Sequence, residues 1–446
     1  MLTAVTQLPV DPGPAAWNAI LPPASRRPSL SKNTTADWVI IGAGFAGLSA
    51  ARRLSELHPT DRIVVLEASQ IAQGPAGRNS GFMIDLPHDL SSDDYGGDAD
   101  NDARQTRLNR AAIAYALQAG ERWQMGDEAI AVSGKINGAI TARGVSHNTA
   151  YARHLQHLNE PFERLDATTM HELTGTRCYI DGLFTPGTAM LQPALFIRKL
   201  AEGIEQCGVT IHEDSAVTAL QRSNNTWCVS TPHAQLQTPR VILTVNGHLQ
   251  SFGYYTKHLI HVFTYGSMTR ALSAKESRTL GGEARWALTP ADPLGTTVRR
   301  ISGTGGDRLI VRNRATYNPT MQVNDKQLSG IARDHNKSFA QRFPMLQGIA
   351  MEYCWGGRLC MSRNNVSICE ELDTGLFAAC CQNGLGTAKG TITGKLVAEL
   401  ACGVESPLLE DQRKEAAPRK LPPATLTRLG AEVQLRWSEF RAGREL

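Results

Sequence analysis

Nineteen residues, Ala36-Asp-Trp-Val-Ile-Ile-Gly-Ala-Gly-Phe-Ala-Gly-Leu-Ser-Ala-Ala-Arg-Arg-Leu54, constrain this chain most, because they join a strand, a glycine turn and a helix without a spacer. The apolar run Val39 to Ile41 reads as a short central strand, and Phe45, Leu48, Ala51 and Leu54 recur as the apolar face of a helix. Between them Gly42 permits the tight turn, Gly44 lets backbone approach a pyrophosphate, and Gly47 allows helix and strand to pack closely. Phe45 and Ala46 open the helix, whose unpaired N–H groups and dipole favour an anion. The next apolar strand, Arg62 to Leu66, ends in Glu67, twenty residues beyond Gly47. A carboxylate there accepts from ribose hydroxyls and argues against a 2′-phosphate, and Ala68 follows it. The competing reading is a glycine turn in an ordinary α/β protein with an incidental acid. The fingerprint alone leaves NAD and FAD open.

Further along, Ala68 to Phe82 is a loop of small residues containing Gly77-Arg78-Asn79-Ser80-Gly81, where backbone could approach a flat ring or a phosphate. Met83 to Tyr95, with His88, Asp85, Asp89, Asp93 and Asp94, reads as a solvated connection. Helices are expected over Asn101 to Met125, Asn148 to Asn159 and Ala194 to Cys207. His147, His154 and His157 lack a matching carboxylate or cysteine, so they read as a solvated face and no metal is expected. Strands follow at Gly208 to His212, Ala216 to Leu220, Trp227 to Ser230 and Arg240 to Val245, the last ending in Asn246-Gly247. Residues 248–354 mix short strands, arginines and aromatics. Leu376 to Cys381 is a strand, Gln382 to Gly390 a second glycine turn, and Thr391 to Cys402 a helix. That turn is G-x-G-x-x-x-G, so it is not a second dinucleotide fingerprint.

This pattern predicts an α/β fold in which a Rossmann-type domain interleaves with an α+β substrate domain. The expected division is an extended segment 1–35, a discontinuous cofactor domain 36–90, 185–250 and 355–405, a substrate domain 91–184 and 251–354, and a tail 406–446. With 46 basic and 42 acidic residues and no basic tract carrying aromatics, nucleic acid is not an expected partner. Nine scattered cysteines without a C-x-x-C pair fit reduced thiols and a cytoplasmic location. No apolar run is long enough to span a bilayer. The proline-rich start, Met1 to Lys32, lacks a signal peptide's regions and reads as surface chain held by Trp17. An oligomer is compatible with the sequence.

With these residues in view, the chain resembles the FAD-dependent amine and amino-acid oxidases of the D-amino-acid oxidase, glycine oxidase and sarcosine oxidase superfamily, most closely the γ-glutamylputrescine oxidase branch. The motifs that carry this are the Trp17 leader, Asp37 to Gly47, Gly77 to Gly81 (close to G-R-N-G-G) and Leu191-Gln-Pro. Val241 to Gly247, Trp355-Gly-Gly, Asn383 to Gly386 and the Leu421-Pro-Pro tail complete the set. The resemblance implies FAD. Gly42, Gly44 and Gly47 would hold its pyrophosphate, Glu67 its ribose, and Val217 its adenine side. Gly77 to Gly81 would line the flavin, with Gly384, Leu385, Gly386, Thr387 and Lys389 closing over its pyrimidine end. Ser80 departs from the usual glycine, and Lys389 stands one residue later than the lysine of sarcosine-oxidase-type turns.

An amine oxidase of this kind needs positive charge near the flavin edge where negative charge develops, for which Lys389 is the candidate. Tyr265 and His261 are candidates for favouring the neutral amine, and Arg358 or Arg143 for clamping a carboxylate. Cys360 precedes the last strand as a flavin-linked cysteine does, so an 8α-S-cysteinyl bond is weighed against a packed thiol and non-covalent FAD. The expected reaction takes an amine or amino acid to an imine that hydrolyses, with oxygen reduced to peroxide. Alternatives are a dehydrogenase using a quinone or protein acceptor, a non-catalytic flavin protein, and a simple NAD dehydrogenase.

Overall fold

Short strands with every residue buried can sit only inside a sheet covered on both faces, and Trp38–Ile41 and Ile63–Leu66 are such strands. A computed structural model describes residues 2–87 and 97–446; His88, Asp89, Asp93 and Asp94 of the expected connection lie outside them. The two strands join a six-stranded sheet in the order Thr210–His212, Ile63–Leu66, Trp38–Ile41, Arg240–Leu243, Leu376–Cys380, Ile368–Asp373. The first five run parallel and the last is antiparallel. Thr244 locks the central pair, its hydroxyl donating to the carbonyls of Ile41 (2.8 Å) and Gly42 (2.9 Å).

The helix Phe45–Leu57 packs on this sheet beside Pro193–Glu205 and Ala388–Ala401. Gly394 makes the last contact feasible, since a Cβ there would stand 2.1 Å from the carbonyl oxygen of Ala46. The second lobe is an eight-stranded sheet that begins with Met351–Ser362, Leu259–Thr269 and Arg308–Tyr317. Met351–Ser362 is its edge strand and Leu259–Thr269 lies behind it. This α/β architecture is the expected class, with two differences in detail.

Ala219–Ser223 and Trp227 to Ser230 do not extend the parallel sheet. Together with Gln235–Thr238, Thr34–Thr35 and Leu2–Ala4 they form a separate five-stranded sheet. Their side chains alternate between buried and accessible, as Leu236 and Gln237 do, the mark of a sheet wetted on one face. The leader therefore contributes a strand. Trp17 is fully buried and donates from Nε1 to the carbonyl of Asn79 at 2.8 Å, so the proline-rich segment is pinned to the loop that follows the second parallel strand.

The histidine-bearing helix runs Ala142–His157; His157 is exposed as expected of a solvated face, whereas His147 and His154 are not part of one. His154 pairs with Asp102 at 3.0 Å, and His147 is buried 3.8 Å from Asp292. No metal-holding cluster occurs among the described residues, and none of their helices is long and apolar enough to cross a membrane. All nine cysteines are free.

Candidate cofactor and active site

The glycine turn opens on a cleft of ≈ 520 Å³ that runs along the carboxyl ends of the parallel strands. At its near end the three glycines divide the labour. Gly42 has φ +103°, a left-handed value that disfavours a side chain. A Cβ on Gly47 would lie 1.8 Å from the Gly42 carbonyl oxygen, so this residue sets strand–helix distance and does not face the cleft. Among the described residues a Cβ on Gly44 would meet only Ala76, at 3.6 Å; the space beside it belongs to the cleft. Phe45 and Ala46 line the same space, and the N–H groups of the helix's first turn have no intrahelical acceptor. Glu67 accepts from the N–H of Ala43 at 2.9 Å and of Ser69 at 3.1 Å. Burial raises its carboxyl above the ordinary value, and these two N–H groups work against that rise. Ala68 and Val217 complete this end. A glycine cradle, free helix N–H groups and a held carboxylate fit the adenosine diphosphate half of a dinucleotide.

The far end is assembled from distant segments. Arg78, Asn79 and Ser80 line it, as do Gly247, Arg358, Cys360, Gly384, Gly386 and Thr387. Gly77 and Gly81 are structural: a Cβ on Gly77 would lie 1.9 Å from the carbonyl oxygen of Ala72, and one on Gly81 2.1 Å from Nη1 of Arg299. Arg78 turns its guanidinium to the carbonyls of Gln73 (2.6 Å), Pro12 (3.0 Å) and Gly13 (2.9 Å), stapling the leader. Asn383, at φ +50°, accepts the Ser362 N–H through Oδ1 at 2.8 Å, and the N–H of Leu385 donates to the carbonyl of Gln382 at 3.1 Å, closing the second glycine turn; neither lines the cleft.

Arg358 is buried in the wall of the cleft. It donates to Nε2 of His248 and pairs with Asp11 of the leader at 3.2 Å. Burial, reinforced by Arg358, pushes His248 down to about 3, so its ring is a neutral acceptor at working pH. Sequence reasoning missed both His248 and Asp11; the first stands beside Asn246-Gly247, where a strand-end residue deserved scrutiny, and for the second no local signal exists.

The other catalytic candidates do not reach the cleft. Lys389 lines a separate small cavity with Asn109, Gln412 and Glu415. Gly386, just before the helix that starts at Ala388, and Gly390, within it, face the cofactor cleft, and residue 389 is rotated about 100° from residue 390. Tyr265 lies behind the edge strand, paired with Gly356, and its hydroxyl is 2.6 Å from that of Thr316. His261 is likewise behind, paired with Cys360; a Cβ on Gly247 would meet its Nδ1 at 2.9 Å. Neither of its ring nitrogens has a hydrogen-bond partner among the described residues, and burial lowers it to about 4. Arg143 pairs with Asp292 at 2.9 Å, away from the cleft.

A pH prediction follows from three buried histidines. His248 is held at about 3, and His261 and His335 at about 4, with burial as the leading cause in each. Released on unfolding, they return to about 6.5, so the unfolded chain takes up protons first as pH falls. Stability is therefore complete above about pH 6.5 and is lost toward pH 4, at about 1.4 kcal/mol per pH unit per histidine. Urea midpoints measured from pH 7 to pH 4.5 should fall steeply, and His335→Asn should flatten that fall. A flat profile in the unsubstituted protein would refute the burial of neutral rings.

A family model described as FAD dependent oxidoreductase matches residues 37–400. A probable oxidoreductase OrdL of Haemophilus influenzae is 24% identical over 393 residues, covering 84% of this chain and 85% of that protein. The γ-glutamylputrescine oxidoreductase of Escherichia coli is 22% identical over 391 residues, covering 84% and 85%. Among solved structures, glycine oxidase from Geobacillus kaustophilus superposes with a TM-score of 0.67 at 16% identity, covering 84% of this chain and 96% of that one. With the cradle, the held carboxylate and the match across residues 37–400 all agreeing, the chain belongs to the FAD-dependent oxidoreductases of the D-amino-acid-oxidase type.

Proposed function

We propose that this protein is an oxidase of an amine or amino acid, breaking a C–H bond beside nitrogen to give an imine that hydrolyses, with oxygen reduced to hydrogen peroxide. The observation that carries the reading is the Asp11–Arg358–His248 group in the wall of the cleft, a fixed cation bonded to a neutral acceptor. FAD would supply the hydride acceptor and pass the electrons to oxygen. Gly42, Gly44, Phe45 and Ala46 would hold its pyrophosphate, Glu67 and Ala68 its ribose, and Val217 its adenine. Arg78 to Ser80, Gly247 and Gly384 to Thr387 would bound the ring system.

A cation held at Arg358 disfavours a second positive charge nearby, so a bound amine is driven toward its reactive neutral form. The same charge stabilises an anion developing at the ring edge or a carboxylate on the substrate. The role first sought in Lys389 falls in this proposal to Arg358.

Cys360 is read as a packed thiol and the cofactor as non-covalent. The Cys381 thiol and burial push its own thiol well above the ordinary value, which suppresses the thiolate that a ring-methyl bond requires. Acid precipitation should leave all yellow colour in the supernatant, and colour in the pellet would restore the linkage. A peroxide-coupled screen of amines, amino acids and γ-glutamyl amines tests the oxidase assignment. Peroxide equal to substrate consumed is the expected outcome. Substrate oxidation that needs an added quinone and yields no peroxide would replace it with a dehydrogenase.

A further inference from the structure

The C-terminal helix Ala424–Ala442 is oriented against the usual pattern of a surface helix. Its small or half-covered residues, Ala431, Leu435, Ser438 and buried Ala442, face the protein. Its bulky apolar residues face outward: Leu426 is 61% exposed, Leu429 62%, Val433 57%, Trp437 57% and Phe440 77%. Globular helices bury such a stripe.

The helix is not a loose tail that could turn over. The N–H of Leu421 donates to the carbonyl of Lys257 at 2.7 Å, and Glu439 pairs with Arg314 at 3.2 Å. Beyond its end, Glu445 is buried and accepts from the N–H groups of Ile140 (3.0 Å) and Thr141 (2.9 Å) and from the Thr141 hydroxyl (2.7 Å). The carbonyl of Leu446 takes Arg342 at 3.1 Å. Both ends are tied to the second lobe, and the apolar stripe between them is held in the open.

The spacing of the stripe identifies what covers it. Around Val433 the apolar positions fall at −7, −4, +4 and +7, so the pattern is unchanged when the helix is reversed. A two-fold axis through Val433, perpendicular to the helix, therefore sets Val433 against itself, and on either side Leu426 against Phe440 and Leu429 against Trp437 of a second copy, large opposite small. Leu426, Val433 and Phe440 recur every seven residues, and the stripe is about 80° wide, the narrow seam of a helix pair. The flanks agree. Glu432 and Arg436 lie on the same side of the stripe, and the same axis brings Arg436 beside Glu432 of the second copy, offset by about 3 Å along the helix. Arg441, on the other flank, meets no like charge. The five side chains expose on the order of 600 Å², near the ~800 Å² per partner of a stable interface. A parallel pairing would instead turn the Glu432–Arg436 flank of one copy toward the Gln434–Arg441 flank of the other, which forms no such ion pair, and would set Phe440 on Phe440 and Trp437 on Trp437.

We propose that this helix joins two copies of the chain antiparallel about Val433, as a two-fold dimer. Sedimentation equilibrium on the full-length protein should give a dimer. Val433→Glu, which sets two carboxylates at the axis, should give a monomer with unchanged far-ultraviolet dichroism. Arg436→Glu should raise the dissociation constant several-fold, and Glu432→Arg with Arg436→Glu should restore it. Oxidised Val433→Cys should cross-link to itself above the background of the nine native cysteines. Leu426→Cys should do so only when Phe440→Cys is present as well. The proposal is overturned by a protein that stays monomeric at every concentration, including one that instead pellets with anionic phospholipid vesicles, or by a dimer indifferent to Val433→Glu.

Discussion

Gly47→Ala is expected to yield a protein that no longer retains its cofactor and unfolds several kcal/mol more easily. The added methyl would stand 1.8 Å from the Gly42 carbonyl oxygen and 2.7 Å from Oγ1 of Thr244, and neither can retreat. The carbonyl belongs to the turn itself, and the threonine hydroxyl is held by Ile41 and Gly42. The helix must therefore move outward by more than 1 Å, which opens strand–helix packing at a cost of about 2–4 kcal/mol. It also withdraws the N–H groups that would hold the pyrophosphate. Gly44→Ala is the contrasting case. Its methyl has room in the empty fold, with Ala76 at 3.6 Å, so stability without cofactor should be unchanged while flavin content falls. Visible absorbance per protein and the urea midpoint, taken together, separate the two. Loss of stability in both variants, or full flavin in both, would contradict the roles assigned to them.

The second large effect is expected at Arg358. Replacing it with Met removes the cation from the cleft wall and leaves the Asp11 carboxylate and His248 Nε2 without their partner. A fully buried charge stranded in this way costs about 3–5 kcal/mol, and the partly accessible Asp11 carboxylate less. Loss of preorganised charge at the reacting centre should lower kcat/KM by about 10²-fold or more. These consequences are separable. Asp11→Asn together with Arg358→Met should recover much of the stability and none of the rate, because it removes the stranded carboxylate without restoring the cation. Arg358→Lys should retain part of the rate. A double variant that regains activity would show Arg358 to be a structural anchor only.

The parts of this account that could be read from the chain are those in which cause and effect lie close together. Val39 to Ile41, Gly42, Gly44, Gly47 and Glu67 are joined by local geometry, so strand period, glycine spacing and distance to the acid suffice. What escaped is long-range or a matter of helical phase. Asp11 and Arg358 are 347 residues apart and meet only because Trp17 and Arg78 pin the leader across the cleft. Lys389 was placed by its position in a motif, yet one residue of rotation turns it into a different cavity. Tyr265 and His261 lie on the strand behind the edge strand that carries Arg358 and Cys360, and strand order in a mixed sheet has no local sequence signal. Gly390 reads as the end of the second glycine turn but lies inside the helix Ala388–Ala401, and nothing local marks Gly394, which admits the close crossing over Ala46.

The central claim is that FAD in this cleft takes electrons directly from an amine or amino acid. Anaerobic mixing of the flavin-loaded protein with members of these substrate classes tests it most directly, followed at the flavin band near 450 nm. The account predicts that one class bleaches the band and that admitting air restores it with one peroxide per flavin. A band that no amine or amino acid bleaches, in protein that chemical reductant does bleach, would contradict it.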